Sequence, residues 1–311
     1  MNLTLAYRPT DSDIHRLNPF VMLAWVTAVL VAAMTVQHPI LLLAVFLTTV
    51  PVAYAARVGS QWVAMMKYVL WMSAAIVVVN VLVSQQGGHV LLEAGFRLPL
   101  FGTPRLTVEA LVFGGAMALR LAAIISAFTL LNVCVHPDDL MRAAIKLRLP
   151  YRSVLVTSLS TRFIPVLMAD ARTISDVQRS RGVAFDKGSL LARIRNGGAL
   201  ILPLLSNSLD RAVQIAEAME SRGYGAAVRR TFYRDRPMVA GDVVAAIVLL
   251  GGAVLLVVAR LFGAGGYEYY PVLGDLSMTP AVWLSVGLLS AMLLALLAVG
   301  AMRRRSVHDS V

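Results

Sequence analysis

Six apolar runs, separated by polar segments, dominate the pattern of the chain. They cover residues 20–36, 39–56, 66–84, 108–135, 239–261 and 279–301. A helix needs about 20 apolar residues to cross the hydrocarbon core of a bilayer, and these runs show no period-2 alternation. Because lipid offers the backbone no hydrogen-bond partners, the pattern predicts an all-α polytopic membrane protein with about six transmembrane helices.

The connections between the runs differ in kind. The first two runs are short and meet at Gln37-His38-Pro39, which predicts a helical hairpin. Residues 85–107 contain Gly87-Gly88, Pro99 and Pro104, and this composition predicts an irregular or re-entrant connection. About a hundred residues separate the fourth run from the fifth. The chain therefore divides into N-terminal membrane helices (1–135), an insert (136–236) and C-terminal membrane helices (237–311).

The insert is too helical for a linker. A helix is predicted to begin at Pro137, a second stretch covers 151–181 with an interruption at Pro165, and a third runs from about Ser189 past Pro203 to Arg222. The end of the third stretch is amphipathic. Its apolar face carries Leu205, Leu209, Ala212, Val213, Ala216 and Met219. Such a helix is too polar to span a bilayer and is expected on a membrane surface or in a partner's groove.

Charge sets the predicted orientation. The chain has 28 Lys and Arg against 17 Asp and Glu, and residues 136–236 alone hold 17 of the 28 basic residues. Arg303-Arg304-Arg305 follows the last apolar run, while the loops 37–38 and 262–278 contain no Lys or Arg. The positive-inside rule places both termini and the insert in the cytoplasm, at the inner cell membrane. Because the basic residues flank membrane spans without aromatic interleaving, they indicate the lipid bilayer and not nucleic acid.

A repeat is the most specific motif. Ser180-Arg181-Gly182 recurs 41 residues later as Ser221-Arg222-Gly223, and each copy ends a helical stretch of the insert. Gly just past a helix favours the left-handed closure, and Arg complements the negative helix end. Taken separately, each copy of the motif could be an ordinary helix C-cap. Two matched cationic ends in one insert instead suit two equivalent grooves on a dimeric or pseudo-dimeric partner.

At these residues the chain resembles the transmembrane T component of energy-coupling factor transporters, the family that includes CbiQ. The family's paired motifs match Ser180-Arg181-Gly182 and Ser221-Arg222-Gly223. Weaker similarity lies in Ala118-Leu119-Arg120-Leu121, Pro137-Asp138-Asp139-Leu140 and Thr161-Arg162-Phe163. The similarity extends over roughly residues 15–260. The apparent sixth span at 279–301 is a departure from the family's pattern, and family members vary in the number of spans.

The resemblance implies a non-catalytic coupling subunit. Each motif would dock in one of two ATP-binding-cassette ATPase subunits, which would bind the ATP and Mg²⁺, and the coupling helices would reorient a small substrate-binding membrane subunit for a vitamin or a transition metal such as cobalt or nickel. This chain has no Gly-x-x-x-x-Gly-Lys-Ser/Thr loop, and its five histidines lack metal-ligand spacing. No cofactor, metal site or catalytic residue is therefore expected in it.

Residues inside the spans are further candidates. Arg120 lies in the middle of the fourth run, where a charge is costly, and is predicted to form either an internal structural pair or a contact with the coupling helices. Gly114, Ala118, Ala122 and Ser126 recur every four residues on the same run, a spacing that permits close approach of helices. This stripe serves either packing within the chain or docking of the substrate-binding subunit.

Two other classes of function stay open. A membrane enzyme acting on a prenyl diphosphate or lipid would use Asp138 and Asp139 to hold Mg²⁺, but such enzymes need a second Asp-rich cluster, and Asp170 and Asp176 lack a matching spacing. A self-sufficient secondary carrier would need carboxylates inside the membrane. Glu109 and Asp242 lie only at span ends.

Overall fold

The computed structural model describes residues 12–83, 88–93, 105–137, 139–140, 143, 150–183, 190–225, 238–263, 266–274 and 279–308. Its helices are α1 (Pro19–Thr35), α2 (Pro39–Ala55), α3 (Gly59–Val83), α4 (Val108–Cys134), α5 (Tyr151–Ser180), α6 (Leu190–Ser221), α7 (Ala240–Leu261) and α8 (Pro280–His308). Two strands, β1 (Val90–Glu93) and β2 (Arg105–Thr107), lie between α3 and α4. The chain forms two compact units, residues 1–140 with 236–311 and residues 141–235.

The predicted all-α polytopic membrane fold is confirmed. Helices α3, α4, α5, α7 and α8 are long and apolar enough to cross a membrane, whereas α1 and α2 have 17 residues each. At 1.5 Å per residue the two short helices are about 25 Å long, less than the roughly 30 Å hydrocarbon core. Two helices extend beyond the predicted runs: α3 begins at Gly59, before the run 66–84, and α8 continues to His308, past the run 279–301.

Helix α5 also meets the length and composition of a membrane span from Ser153 to Ser180. The sequence prediction treated this stretch as part of the insert, with an interruption at Pro165. The helix is instead continuous through Pro165, and α6 is continuous through Pro203. A proline inside a helix removes one hydrogen bond without necessarily ending the helix, so its position alone does not predict a boundary.

The connection predicted as irregular contains a small antiparallel hairpin. Strand β1 pairs with β2, with Val90 opposite Thr107 and Leu92 opposite Leu106, and a bulge interrupts the register between these two pairs. The amide of Gly88 donates to the carbonyl of Pro271 at 3.0 Å, which ties the hairpin to the loop before α8. The two strands are only four and three residues long, too short for a convincing alternation pattern.

The first unit is built around α1 and α4. Helix α1 packs against α4 and α7, α2 packs against α4 and α8, α3 packs against α4, and α7 packs against α8. Asn18 begins α1, since its Oδ1 accepts from the amide of Phe20 at 3.1 Å and Pro19 occupies the first turn. The largest fully buried side chain is that of Trp25 on α1. This arrangement holds Arg120 and the small-residue stripe of α4 among α1, α2 and α3.

The second unit is an antiparallel pair of long helices, α5 and α6. The guanidinium of Arg211 pairs with the carboxylate of Asp170 at 2.9 Å, and Gln178 Nε2 donates to the carbonyl of Ala199 at 3.4 Å. Later residues of α5 thus lie beside earlier residues of α6. The C-terminal ends of the two helices therefore lie at opposite ends of the pair.

Candidate functional site

The first motif forms a Schellman closure at the end of α5. Gly182 has φ +86°, its amide donates to the carbonyl of Arg179 at 3.0 Å, and the amide of Val183 donates to Gln178 at 3.0 Å. These two bonds satisfy carbonyls that the helix leaves without partners. The segment Gln178–Val183 is called the first tip below.

The second motif has the same geometry at the end of α6. Gly223 has φ +73°, its amide donates to the carbonyl of Glu220 at 2.8 Å, and the amide of Tyr224 donates to Met219 at 2.9 Å. Met219–Tyr224 is the second tip. The motif serines also match, because the hydroxyl of Ser180 donates to the carbonyl of Val177 and that of Ser221 to Ala218, each three residues back. The sequence repeat is thus a repeat of backbone conformation and of hydrogen bonding.

Both tips present an exposed arginine. Arg181 and Arg222 occupy the capping position immediately before the left-handed glycine, and each side chain is exposed. Among the described residues neither guanidinium has an ion pair or a hydrogen bond. Each cation therefore lies at the negative end of a long helix with its five N–H donors available to a partner.

The antiparallel pairing separates the two tips. Gln178 of the first tip lies beside Ala199, and the stretch of α6 from Ala199 to Arg222 extends roughly 35 Å at 1.5 Å per residue. The two arginines therefore cannot bind one small ligand together. Their spacing suits two separate docking points.

The apolar face predicted on α6 is uncovered within its unit. Leu205, Leu209 and Val213 are 53%, 59% and 56% exposed. Helix α5 also exposes Val156, Ile164 and Met168. Contiguous exposed apolar side chains of this size mark an interaction surface for lipid or protein.

Arg120 contacts the end of α1. Its Nη2 donates to the carbonyl of Val36 at 2.9 Å, and its Nη1 contacts Met117 Sδ at 3.5 Å. Val36 is the residue that caps α1, so the guanidinium binds at the negative end of that helix. The structure thus gives Arg120 a backbone acceptor in its own unit, and of the two predicted contacts, an internal structural pair or a contact with the coupling helices, this bond is of the first kind.

The small-residue stripe of α4 serves three kinds of contact. A Cβ on Gly114 would lie 3.1 Å from the Cα of Val77, so this glycine permits close approach of α3 and α4. Ser126 donates to Thr49 Oγ1 and accepts from Trp62 Nε1, both at 2.7 Å, which joins α2, α3 and α4. Ala118 and Ala122 instead line an open groove.

Sequence reasoning missed a polar cluster beside the α1–α2 turn. The hydroxyl of Tyr269 donates to the carbonyl of Gln37, and Arg260 Nη2 donates to Gln37 Oε1 at 2.6 Å. His38 is buried against Tyr267, with ring centroids 5.4 Å apart, and burial lowers the pKa of His38 below its usual value. Burial also raises the pKa of Tyr269 to about 12. These residues come from distant segments of the sequence, so only a signal that pairs distant positions could have revealed their contacts.

Two buried carboxylates were predicted only as residues at span ends. Glu109 is fully buried and its Oε1 lies 2.9 Å from His89 Nδ1. Asp242 is also fully buried, and its carboxylate binds the guanidinium of Arg303. Each therefore holds structural elements together at an end of the membrane unit.

The alternative of a membrane enzyme requires Asp138 and Asp139 as ligands of Mg²⁺. Asp138 lies outside the described residues, and the amide of Asp139 donates to the carbonyl of His136 at 2.9 Å, as in the first turn of a helix. Within the described ranges, no three His, Cys, Asp or Glu side chains come together as metal ligands.

The membrane-spanning helices and the paired cationic tips define a class, the polytopic α-helical membrane protein with a helical insert. A model of the CbiQ family, described as cobalt transport protein, matches residues 11–233. Similar relatives are energy-coupling factor transporter transmembrane proteins EcfT. That of Bacillus selenitireducens is 33% identical, with 83% of this chain and 96% of the relative covered. That of Limosilactobacillus fermentum is 30% identical, with 82% and 96% covered.

The chain belongs to this family, the CbiQ and EcfT transmembrane proteins of energy-coupling factor transporters. The resemblance predicted from the paired motifs is thereby confirmed. The multi-pass membrane location is confirmed with it, while the cytoplasmic position of the termini and of residues 136–236 stays a prediction.

Proposed function

We propose that this chain is the coupling subunit of an energy-coupling factor importer. The first and second tips dock on two ATP-binding-cassette ATPase subunits, which bind ATP and Mg²⁺. The helices α5 and α6 transmit the motion of these subunits to a small substrate-binding membrane subunit. The observation that carries the proposal is the pair of Schellman closures with the same hydrogen bonding, each presenting an exposed arginine.

The matched tips support two equivalent docking points. A guanidinium is planar and always charged, so it recognises a carboxylate or a row of carbonyls with fixed geometry. The Schellman hydrogen bonds hold the backbone beside each arginine in one conformation, which reduces the ordering cost of docking. Because the tips lie at opposite ends of the helix pair, force applied at both reaches the whole length of α5 and α6.

The uncovered apolar face of α6 supports the proposed contact with the substrate-binding subunit and the membrane surface. Leu205, Leu209 and Val213 offer a stripe that an apolar helix or the bilayer surface covers. We place this stripe against the substrate-binding subunit and the inner membrane surface, with the insert and both termini in the cytoplasm as the loop charges predict.

The transported solute belongs to the same proposal. We propose uptake of a vitamin or of a transition metal such as cobalt or nickel, bound by the separate subunit and not by this chain. The family description, cobalt transport protein, supports a metal for part of the family. Purifying the assembled transporter and identifying the solute that its small subunit retains tests this assignment.

Charge reversal at the tips tests the coupling role. The double variant Arg181→Glu with Arg222→Glu is expected to insert normally but to lose co-purification of the ATPases and solute uptake, because each groove would then face a like charge. Each single variant should retain part of the ATPase. Arg172→Glu is the matched control, since Arg172 is exposed on α5 away from both tips. Wild-type co-purification by the double variant contradicts the proposal.

A further inference from the structure

A lateral groove opens between α2, α3 and α4. Its volume is about 640 Å³, with Phe46 and Trp62 at one end and Leu70 and Ser73 further along. The small residues Gly115, Ala118 and Ala122 form the floor on α4. Apart from Lys67 and Ser73, the lining side chains are apolar, so the groove is suited to hydrocarbon.

The dimensions of the groove correspond to one leaflet. Along α3 it extends from Trp62 to Ser73, roughly 16 Å at 1.5 Å per residue. This length is about half of the 30 Å hydrocarbon core. An apolar groove of this length matches the acyl chains of one leaflet, which favours a lipid as its occupant.

Lys67 gives the groove a charge. It lies two turns inside α3, is exposed, and has no ion pair among the described residues. A cation on the lipid-facing side of a span is costly unless it reaches the interface or an anion. Since α3 begins at Gly59, the flexible lysine stem can extend towards that end of the helix, where Trp62 also lies. Tryptophan is enriched at this depth of a bilayer.

We propose that the groove binds one anionic phospholipid, with an acyl chain along Ala118 and Ala122 and the phosphate paired with the ammonium of Lys67. With the orientation that the loop charges predict, the lipid belongs to the inner leaflet, the leaflet that carries a negative surface potential. The inference does not depend on the coupling role, because it rests on the membrane unit alone.

Quenching of tryptophan fluorescence tests the proposal. The full chain is reconstituted in phosphatidylcholine vesicles that contain increasing fractions of brominated phosphatidylglycerol or brominated phosphatidylcholine. The signal of Trp62 is obtained by subtracting the Trp62→Phe variant. We expect the anionic lipid to half-quench Trp62 at about a fivefold lower fraction, the ratio that corresponds to about 1 kcal/mol per basic residue at a membrane surface. Lys67→Gln should make the two lipids equal.

Matched variants separate charge from shape. Ala118→Leu fills the groove and should reduce quenching by both lipids, whereas Ala74→Leu, exposed on α3 outside the groove, should not. Native mass spectrometry after detergent exchange provides a second readout that needs no tryptophan variant. Wild type and the Arg57→Gln control should retain one phosphatidylglycerol, and Lys67→Gln should lose it.

Three results would overturn the proposal. The first is equal quenching of wild type by the two lipids at every fraction. The second is an unchanged preference in Lys67→Gln. The third is quenching that the isolated chain shows and the assembled transporter lacks, which would assign the groove to a partner protein.

Discussion

At the scale of single residues, the two tips depend on glycine. Gly182 and Gly223 have φ near +80°, a conformation that costs an L-residue about 1–2 kcal/mol. A Cβ on Gly182 would meet open space, so this cost comes from the backbone and not from crowding. The motif arginines keep their positions only while these turns stay closed.

Alanine at either glycine should loosen its tip. Gly182→Ala and Gly223→Ala are each expected to lower the free energy of local opening of their own tip by about 1–2 kcal/mol. Hydrogen exchange of the amides of Val183 and Tyr224 measures this change. Gly197→Ala is the matched control, since Gly197 lies inside α6 with open space at its Cβ, and it should slow exchange in α6. Equal exchange in wild type and the tip variants would rule out a role for the closures.

At the scale of elements, the contact between α3 and α4 depends on which glycine faces the neighbouring helix. Gly114 approaches the backbone of Val77, while its neighbour Gly115 has no atom within 4 Å of its Cβ position. The hydrogen bonds of Ser126 hold the other end of the same contact. Tight packing and a polar link therefore combine on α4, with the groove between them.

Valine should destabilise the protein at Gly114 and have little effect at Gly115. Gly114→Val is expected to lower stability by about 1–3 kcal/mol, because the side chain would force α3 and α4 apart. Gly115→Val should change the free energy of unfolding by less than about 0.5 kcal/mol, since its side chain enters open space. Reversible unfolding by dodecyl sulfate in mixed micelles compares the two variants. A larger loss for Gly115→Val would refute the observed packing.

At the scale of the whole membrane unit, Arg303 ties the two ends of the chain together. It binds the carboxylate of Asp242 at the start of α7, and its Nη1 donates to the carbonyl of Arg16 at 3.3 Å. Asp242 is fully buried, and the side chain of Arg303 is 18% exposed. The first described segment, α7 and the end of α8 thus meet at one ion pair.

Removing the cation should destabilise the unit more than removing the pair. Arg303→Met leaves a buried carboxylate without its partner and is expected to lower the free energy of unfolding by about 3 kcal/mol. Adding Asp242→Asn to that variant should restore most of the loss, because the uncompensated charge is then absent. The same micelle unfolding measures both, with wild type as reference. A double variant as unstable as Arg303→Met would show that packing, and not charge, causes the loss.

Local properties explain what the sequence predicted well. The membrane class follows from the length of the apolar runs, and the two tips follow from a glycine and an arginine at a helix end, which are features of adjacent residues. Family membership was also predictable, because the paired motif is specific. Short strands were harder to predict, since β1 and β2 are too short to show an alternating pattern. Helix boundaries at proline were also harder to predict, since the helices continue through Pro165 and Pro203.

By itself, then, the sequence determined the all-α membrane class, the helical insert and the two cationic helix ends. Only the tertiary structure decided that Arg120 binds the Val36 carbonyl, that Arg303 neutralises Asp242 across 61 residues, and that Lys67 lines an apolar groove. The physical reason is that hydrophobic length and helix closure act between neighbours along the chain. A buried charge is satisfied by whichever acceptor the packing of distant helices brings within reach, and a backbone carbonyl leaves no mark in the sequence.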